Sequence, residues 1–111
     1  MNPLIIDILP ALRDNYIYVL RDGKSRQVAV VDPSEAEPVI DFLKSKNLTL
    51  THIFNTHHHP DHVGGNLILK AETNCLIVGP APDKDRIPGI DIALNDNDTY
   101  VFGNHPARIF F

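Results

Sequence analysis

Thr56-His57-His58-His59-Pro60-Asp61-His62-Val63-Gly64-Gly65 is the stretch on which the reading of this chain turns. It holds four of the chain's six histidines. Neutral imidazole and ionised carboxylate are the ligands that borderline divalent metals such as zinc prefer. Apolar Ile53-Phe54 precedes the run and two glycines close it. That is the profile of a loop leaving the end of a buried strand, where α/β folds place their chemistry. In an extended loop, residues two apart point the same way. His57 and His59 therefore close on one metal while His58 points elsewhere. Pro60 has a fixed φ and redirects the chain. Asp61 and His62 are neighbours whose side chains diverge, so they are better placed to serve a second metal. The bland alternative is a disordered polyhistidine-like patch or an accidental cluster, and the ordered flanks and the aspartate count against it.

Outward from this loop, patterning predicts strands over Leu4–Leu9, Tyr16–Leu20 and Gln27–Val31, the last two joined as a hairpin by the Asp22-Gly23 turn signal. Ser34 with Glu37 fits a capping box. Alternatively, Glu37 is the cap and Pro38 the first helical residue. Val39, Ile40, Phe42 and Leu43 make the buried face of a helix ending near Lys46-Asn47. Thr51–Asn55 is the strand that delivers the histidine loop. A short helix starts at Gly65 or Asn66 and runs to Glu72, and Cys75–Val78 is a fifth strand. Residues 80–88 read as a polar loop. Tyr100–Phe102 and Arg108–Phe111 form a last hairpin across Gly103-Asn104. Alternating strands and helices imply α/β layering.

The histidine run resembles the H-x-H-x-D-H signature of the metallo-β-lactamase superfamily. Pro10-Ala11-Leu12-Arg13-Asp14-Asn15-Tyr16-Ile17-Tyr18-Val19-Leu20 is similar to the opening of the glyoxalase II (hydroxyacylglutathione hydrolase) family, and Val30-Val31-Asp32-Pro33 fits that family after its third strand. The resemblance runs from about Leu4 to Phe111. It implies an α/β fold, the N-terminal portion of a four-layer αββα sandwich with helices on the outer face of a mixed sheet. It also implies that a further histidine in a Pro-Gly-His segment, a bridging aspartate, one more histidine and a helical glutathione-contacting region lie beyond Phe111. Residues 1–111 would then be the N-terminal part of an incomplete domain.

The resemblance implies a function as well: hydrolysis of glutathione thioesters of 2-hydroxy acids by a hydroxide held between two metals, zinc by expectation, with iron or manganese as alternatives. His57 and His59 would hold the first ion, Asp61 and His62 the second, and Asp61 would also orient the hydroxide. A thiol leaving group with a pKa of about 8.5 departs without a strong general acid. Two other readings stay open. One is a sister reaction of the superfamily: a lactonase, β-lactamase, nuclease or persulfide dioxygenase. The other is a non-catalytic chain that binds metal or acts by pairing with another chain.

Composition fits one small domain of 111 residues, 43% hydrophobic. A net charge of −4 gives no basic footprint for nucleic acid. No run of about 18 apolar residues is present to span a membrane. The start lacks the basic region of a signal peptide, which points to the cytoplasm. Cys75, in an apolar run, reads as a core thiol. His52 reads as structural or solvated and His105 as a turn histidine. Tyr16 reads as a packing residue that the resemblance would turn toward the site. A sheet built to pack against a second half would leave apolar surface open to self-association.

Overall fold

The computed structural model describes residues 4–12, 15–56 and 59–108, apart from the side chains of Pro60, Asp61 and Arg108. Strands β1 (Leu4–Ala11), β2 (Asn15–Asp22), β3 (Val28–Val31), β4 (His52–Phe54), β5 (Leu76–Pro80) and β6 (Ile92–Leu94) form one sheet in that spatial order. β1 and β3 each run antiparallel to β2, which lies between them, and β3 through β6 are parallel. Parallel neighbours need crossovers. Here α1 (Glu37–Lys46) links β3 to β4, α2 (Pro60–Val63) and α3 (Asn66–Thr73) link β4 to β5, and a 3-10 turn (Ala81–Arg86) links β5 to β6.

Cross-strand register sorts the side chains into two faces. Val19, Val30, Ile53 and Ile77 lie side by side across four strands. All four are fully buried, in one cluster with Val39 and Leu43 of α1 and Leu69 of α3. The neighbouring row on the other face contains Tyr18, Val31, Phe54, Val78 and Ile92. That face is covered at its centre by a hairpin of β7 (Thr99–Phe102) and β8 (His105–Arg108). Tyr100 and Phe102 meet His52 and Phe54 there, edge to face, with ring centroids 5.5 to 5.8 Å apart. Helices, sheet and hairpin thus make three successive layers, in keeping with the expected sandwich portion. Toward β1 the hairpin covers less, and Ile6, Ile8, Tyr16 and Tyr18 remain 57%, 58%, 60% and 43% exposed.

Several local expectations are corrected. No capping box forms: the cap position of α1 is Ala36, without a side-chain bond, and Pro38 sits one residue inside the helix. First-turn N–H groups have no helical partner, so the proline costs nothing there. Residues 80–88 include the 3-10 turn rather than loop alone, and β6 was not foreseen. Its three residues, Ile92-Ala93-Leu94, are too short for periodicity to register and are fixed by pairing with β5. The second hairpin strand is His105–Arg108, not 108–111, and the last three residues lie outside those described. A two-residue turn, with Gly103 at φ 58°, sets the register Phe102↔His105. Pro106 is accommodated because both strands of a two-stranded ribbon are edges.

Candidate metal centre

β3 and β4 run parallel and end level, with Val31 beside Phe54. Asp32 and the segment Asn55-Thr56 therefore leave the carboxyl end of the sheet side by side. The Asp32 N–H donates to the Phe54 carbonyl at 2.9 Å. Its φ of 50° lies in the left-handed region, uncommon for a residue other than glycine but tolerated by Asp. The turn points its carboxylate back across the start of the histidine loop. Oδ1 accepts the Thr56 N–H at 2.8 Å and Oδ2 accepts the Thr56 hydroxyl at 2.5 Å. His62 Nδ1 lies 3.0 Å from the same Oδ2, a close ion-pair contact rather than a linear hydrogen bond.

The sequence has the chain redirected at Pro60, and there Pro60 opens the one-turn helix α2. Its fixed φ suits a first helical residue. His59, at φ −60° and ψ 142°, is the cap residue, and its carbonyl accepts the N–H groups of His62 and Val63 at 2.8 and 3.2 Å. The exit is held by two buried amides. Asn55 Nδ2 donates to the His62 carbonyl at 3.1 Å, and Asn66 Nδ2 donates to Asn55 Oδ1 at 2.6 Å and to the Pro88 carbonyl at 3.2 Å. Gly65 allows α3 to start against the β3–α1 connection. Its N–H donates to the Pro33 carbonyl at 2.7 Å, and a Cβ there would stand 2.9 Å from that oxygen.

Of the four candidate ligands, His59 and His62 are placed with their side chains. Asp61 is placed by its backbone in α2, while its side chain, with His57 and the neighbouring His58, lies outside the described residues. Among the described residues no group of three or more histidine, cysteine or acidic side chains converges. The donor chemistry of the described part nonetheless suits a metal. Nδ1 of His62 stands beside a carboxylate, and metal-bound histidines commonly have a carboxylate beside one ring nitrogen.

Other candidates resolve differently. His52 is buried: Nδ1 meets the Thr51 hydroxyl at 2.8 Å and Nε2 meets the Tyr100 hydroxyl at 3.0 Å. Burial pushes its pKa down and that of Tyr100 up. It is a structural histidine between sheet and hairpin. His105 opens β8 instead of sitting in the turn, with Nε2 3.5 Å from Asp22 Oδ1. Asp22 lies four residues along β2 from Tyr18, the partner of Val31. At about 3.3 Å per residue this is about 13 Å from the level at which the histidine loop departs, so His105 is not a ligand. Cys75 is buried, and burial raises its thiol pKa, as suits a core residue. Tyr16 is at the loop end of β2, exposed on the hairpin side of the sheet. The sequence reading assigned no role to Asp32 or Asn55. The signal available for Asp32 was an aspartate directly after a strand, and its partner in the fold could not be read from that.

The sequence profile of the metallo-beta-lactamase superfamily matches residues 11–99. A hydroxyacylglutathione hydrolase from Methylococcus capsulatus is 50% identical over 101 residues, 91% of this chain and 40% of the relative. One from Pelagibacter ubique is 49% identical over 105 residues, 95% of this chain and 44% of the relative. The chain thus spans less than half the length of these curated relatives. Among solved structures, ETHE1 from Myxococcus xanthus superposes with a TM-score of 0.73 at 27% identity, covering 92% of this chain and 45% of that one. The B3 metallo-beta-lactamase BLEG-1 superposes with a TM-score of 0.80 at 20% identity, covering 96% of this chain and 60% of that one, which shows a shared fold.

Proposed function

This chain belongs to the metallo-beta-lactamase superfamily, and from that premise we propose that residues 1–111 are the N-terminal part of a hydroxyacylglutathione hydrolase domain supplying half of a two-metal site. The observation that carries the reading is identity of 49–50%, across more than nine-tenths of the chain, to relatives bearing that name. Superfamily membership implies a divalent metal; zinc is the proposed ion, with iron or manganese as alternatives. His57 and His59 would hold one ion, and Asp61 and His62 the other, with Asp61 also the catalytic carboxylate that orients the attacking water. A metal bound there would lower the pKa of a bound water toward about 7 and polarise an acyl carbonyl.

The chain's own residues prepare that site. Asp32 faces Nδ1 of His62, and Asn55 and Asn66 fix the backbone where the loop ends. A thioester suits a site built from His and Asp alone, because a thiolate of pKa about 8.5 needs no strong acid to leave. The proposed substrate is a glutathione thioester of a 2-hydroxy acid, which fits a reducing, cytoplasmic setting. Among the described residues no helix is long and apolar enough to cross a membrane. The uncovered row of Ile6, Ile8, Tyr16 and Tyr18 is the face through which residues 1–111 alone would self-associate.

The test compares residues 1–111 with the same residues joined to the remaining C-terminal part of the Methylococcus capsulatus relative. Loss of S-lactoylglutathione is followed by thioester absorbance with added zinc, iron or manganese. The short chain is expected to be inactive, since catalytic zinc sites use about three protein ligands per ion and two are supplied here. The joined chain is expected to turn over substrate in a metal-dependent way. A metallated but inactive joined chain would refute the thioesterase reading in favour of a sister reaction.

A further inference from the structure

We propose that the outer edge of β1 is a docking surface for a second copy of this chain, which pairs with it antiparallel about a two-fold axis at Ile6. This rests on the reading that residues 1–111 self-associate, and it names the edge, the partner and the register. β1 is the outermost strand of the six-stranded sheet and, among the described residues, pairs with β2 alone. The open edge of a strand presents a row of backbone N–H and C=O groups to any other strand, and proteins blunt such edges with bulges, prolines, charges or a covering element. From Leu4 to Ile8 none of these devices operates. The register with β2 runs unbroken from Leu4↔Asp22 to Ala11↔Asn15, so no bulge turns the edge away. Pro3 and Pro10 flank the stretch in sequence and none lies within it. Leu4, Ile5, Ile6 and Ile8 are all exposed, so both faces beside the edge are open. Asp7 is the one charge, and Arg21 neutralises it within the chain, Nε to Oδ2 at 3.0 Å.

The register follows from sterics and charge. Residues directly opposite in an antiparallel pair point to the same face. A two-fold axis through the sheet keeps helix side on helix side, so even-numbered residues oppose even-numbered ones. Centring on Asp7 sets two carboxylates opposite each other, which is destabilising. Centring on Ile8 brings Pro10, which has no N–H to give, opposite Ile6. Centring on Ile5 leaves only Leu4 to Ile6 paired among the described residues. Centring on Ile6 sets Ile6 against its own copy, Leu4 against Ile8 and Ile5 against Asp7, with Pro10 outside the paired stretch. On the hairpin side, Leu4, Ile6 and Ile8 of both copies then form one aliphatic strip continuing to Tyr18, the partner of Ile8. On the helix side, Arg21 is the partner of Ile5. Asp7 therefore shares a row with Ile5 and Arg21 of the second copy. Two strand spacings, about 10 Å, separate the backbones of Asp7 and that Arg21, a span their side chains bridge. Each Arg21 thus stands between a carboxylate of its own chain and one of the other, and the edge is complementary to itself in charge as well as in shape.

The experiment combines sedimentation of residues 1–111 across a wide range of concentration with disulfide trapping under mild oxidant. Cys75 is buried and stays out of the reaction. Wild type is expected to pass from monomer to dimer as concentration rises. Ile6→Cys should become a covalent dimer, because opposed Cα atoms lie about 4.5–5.5 Å apart, within disulfide reach. Ile8→Cys alone should stay monomeric, since its copies are four positions apart along the strand, about 14 Å. Mixed with Leu4→Cys, it should give the mixed covalent dimer. Association in which Ile6→Cys and Ile8→Cys trap equally well would overturn edge pairing and leave self-association through the exposed face. A monomer at every concentration would overturn both this proposal and the self-association reading beneath it. Amide hydrogen exchange on wild type keeps the test open if the variants fail to fold. Alternate β1 amides, those turned away from β2, should exchange more slowly as concentration rises, and exchange independent of concentration would overturn the proposal.

Discussion

Replacing Gly65 by alanine would add one methyl group where the histidine loop hands over to α3. The added Cβ would stand 2.9 Å from the Pro33 carbonyl oxygen, 3.0 Å from the Ala36 nitrogen and 3.0 Å from the Glu35 carbonyl carbon. All three are backbone atoms of the β3–α1 connection, so no side-chain rotation relieves the overlap. Gly65 has an ordinary φ of −91°, so the backbone itself accepts alanine, and the lower entropy of the unfolded chain returns about 0.4–1 kcal/mol. Overpacking costs about 1–3 kcal/mol, and shifting α3 also stretches the 2.7 Å bond from Gly65 N–H to Pro33. The net expectation is a destabilisation of about 1–2 kcal/mol. For a domain of this size that is a fall in Tm of roughly 5–15 °C. Denaturant titration and a thermal scan of Gly65→Ala against wild type measure it. An unchanged or raised Tm would refute the claim that close backbone approach, rather than loop flexibility, is what requires glycine here.

Acid should weaken the contact between sheet and hairpin. Burial holds His52 below its ordinary value of 6.5, so the unfolded chain takes up that proton first. The stability contribution is therefore complete above about 6.5 and is lost as pH falls from there toward the folded-state value. Tm measured from about pH 7.5 to about pH 5.5 should fall more in wild type than in His52→Gln, and equal slopes would count against the assignment. Gly103→Ala should loosen the hairpin, because φ is 58° and a Cβ would overlap the buried Asp22 carboxylate; a cost of at least about 1–2 kcal/mol in denaturant unfolding is expected. Zinc binding to residues 1–111 should be weak, and nanomolar affinity by chelator competition would reveal a ligand not accounted for. Ile8→Lys, on the exposed face, should shift sedimentation of residues 1–111 toward monomer, and an unchanged distribution would move the association surface elsewhere.

The sequence by itself determined the elements whose cause is local. The apolar run Val28–Val31, the spacing of Val39 and Leu43, and the crowding of histidines after Ile53-Phe54 each carry their meaning within a few residues. β3, α1, β4 and the chemical character of the loop were legible for that reason. What the tertiary structure decided depends on residues far apart in the chain. β6 exists because β5 offers it an edge, not because Ile92-Ala93-Leu94 has a period. β8 starts three residues earlier than expected because Gly103-Asn104 makes a two-residue turn and an edge strand accepts Pro106. Ser34 and Glu37 match a capping box in sequence, yet the cap position of α1 falls on Ala36 without a side-chain bond, and the nearby Glu35 carboxylate accepts the Leu12 N–H at 2.6 Å, 23 residues away. Asp32 and His62 stand thirty positions apart, and only the level ending of two parallel strands and the helical turn at Pro60 bring them to 3.0 Å. Composition and spacing name the groups able to hold a metal, whereas the orientation of an imidazole is set by whatever the fold places behind it.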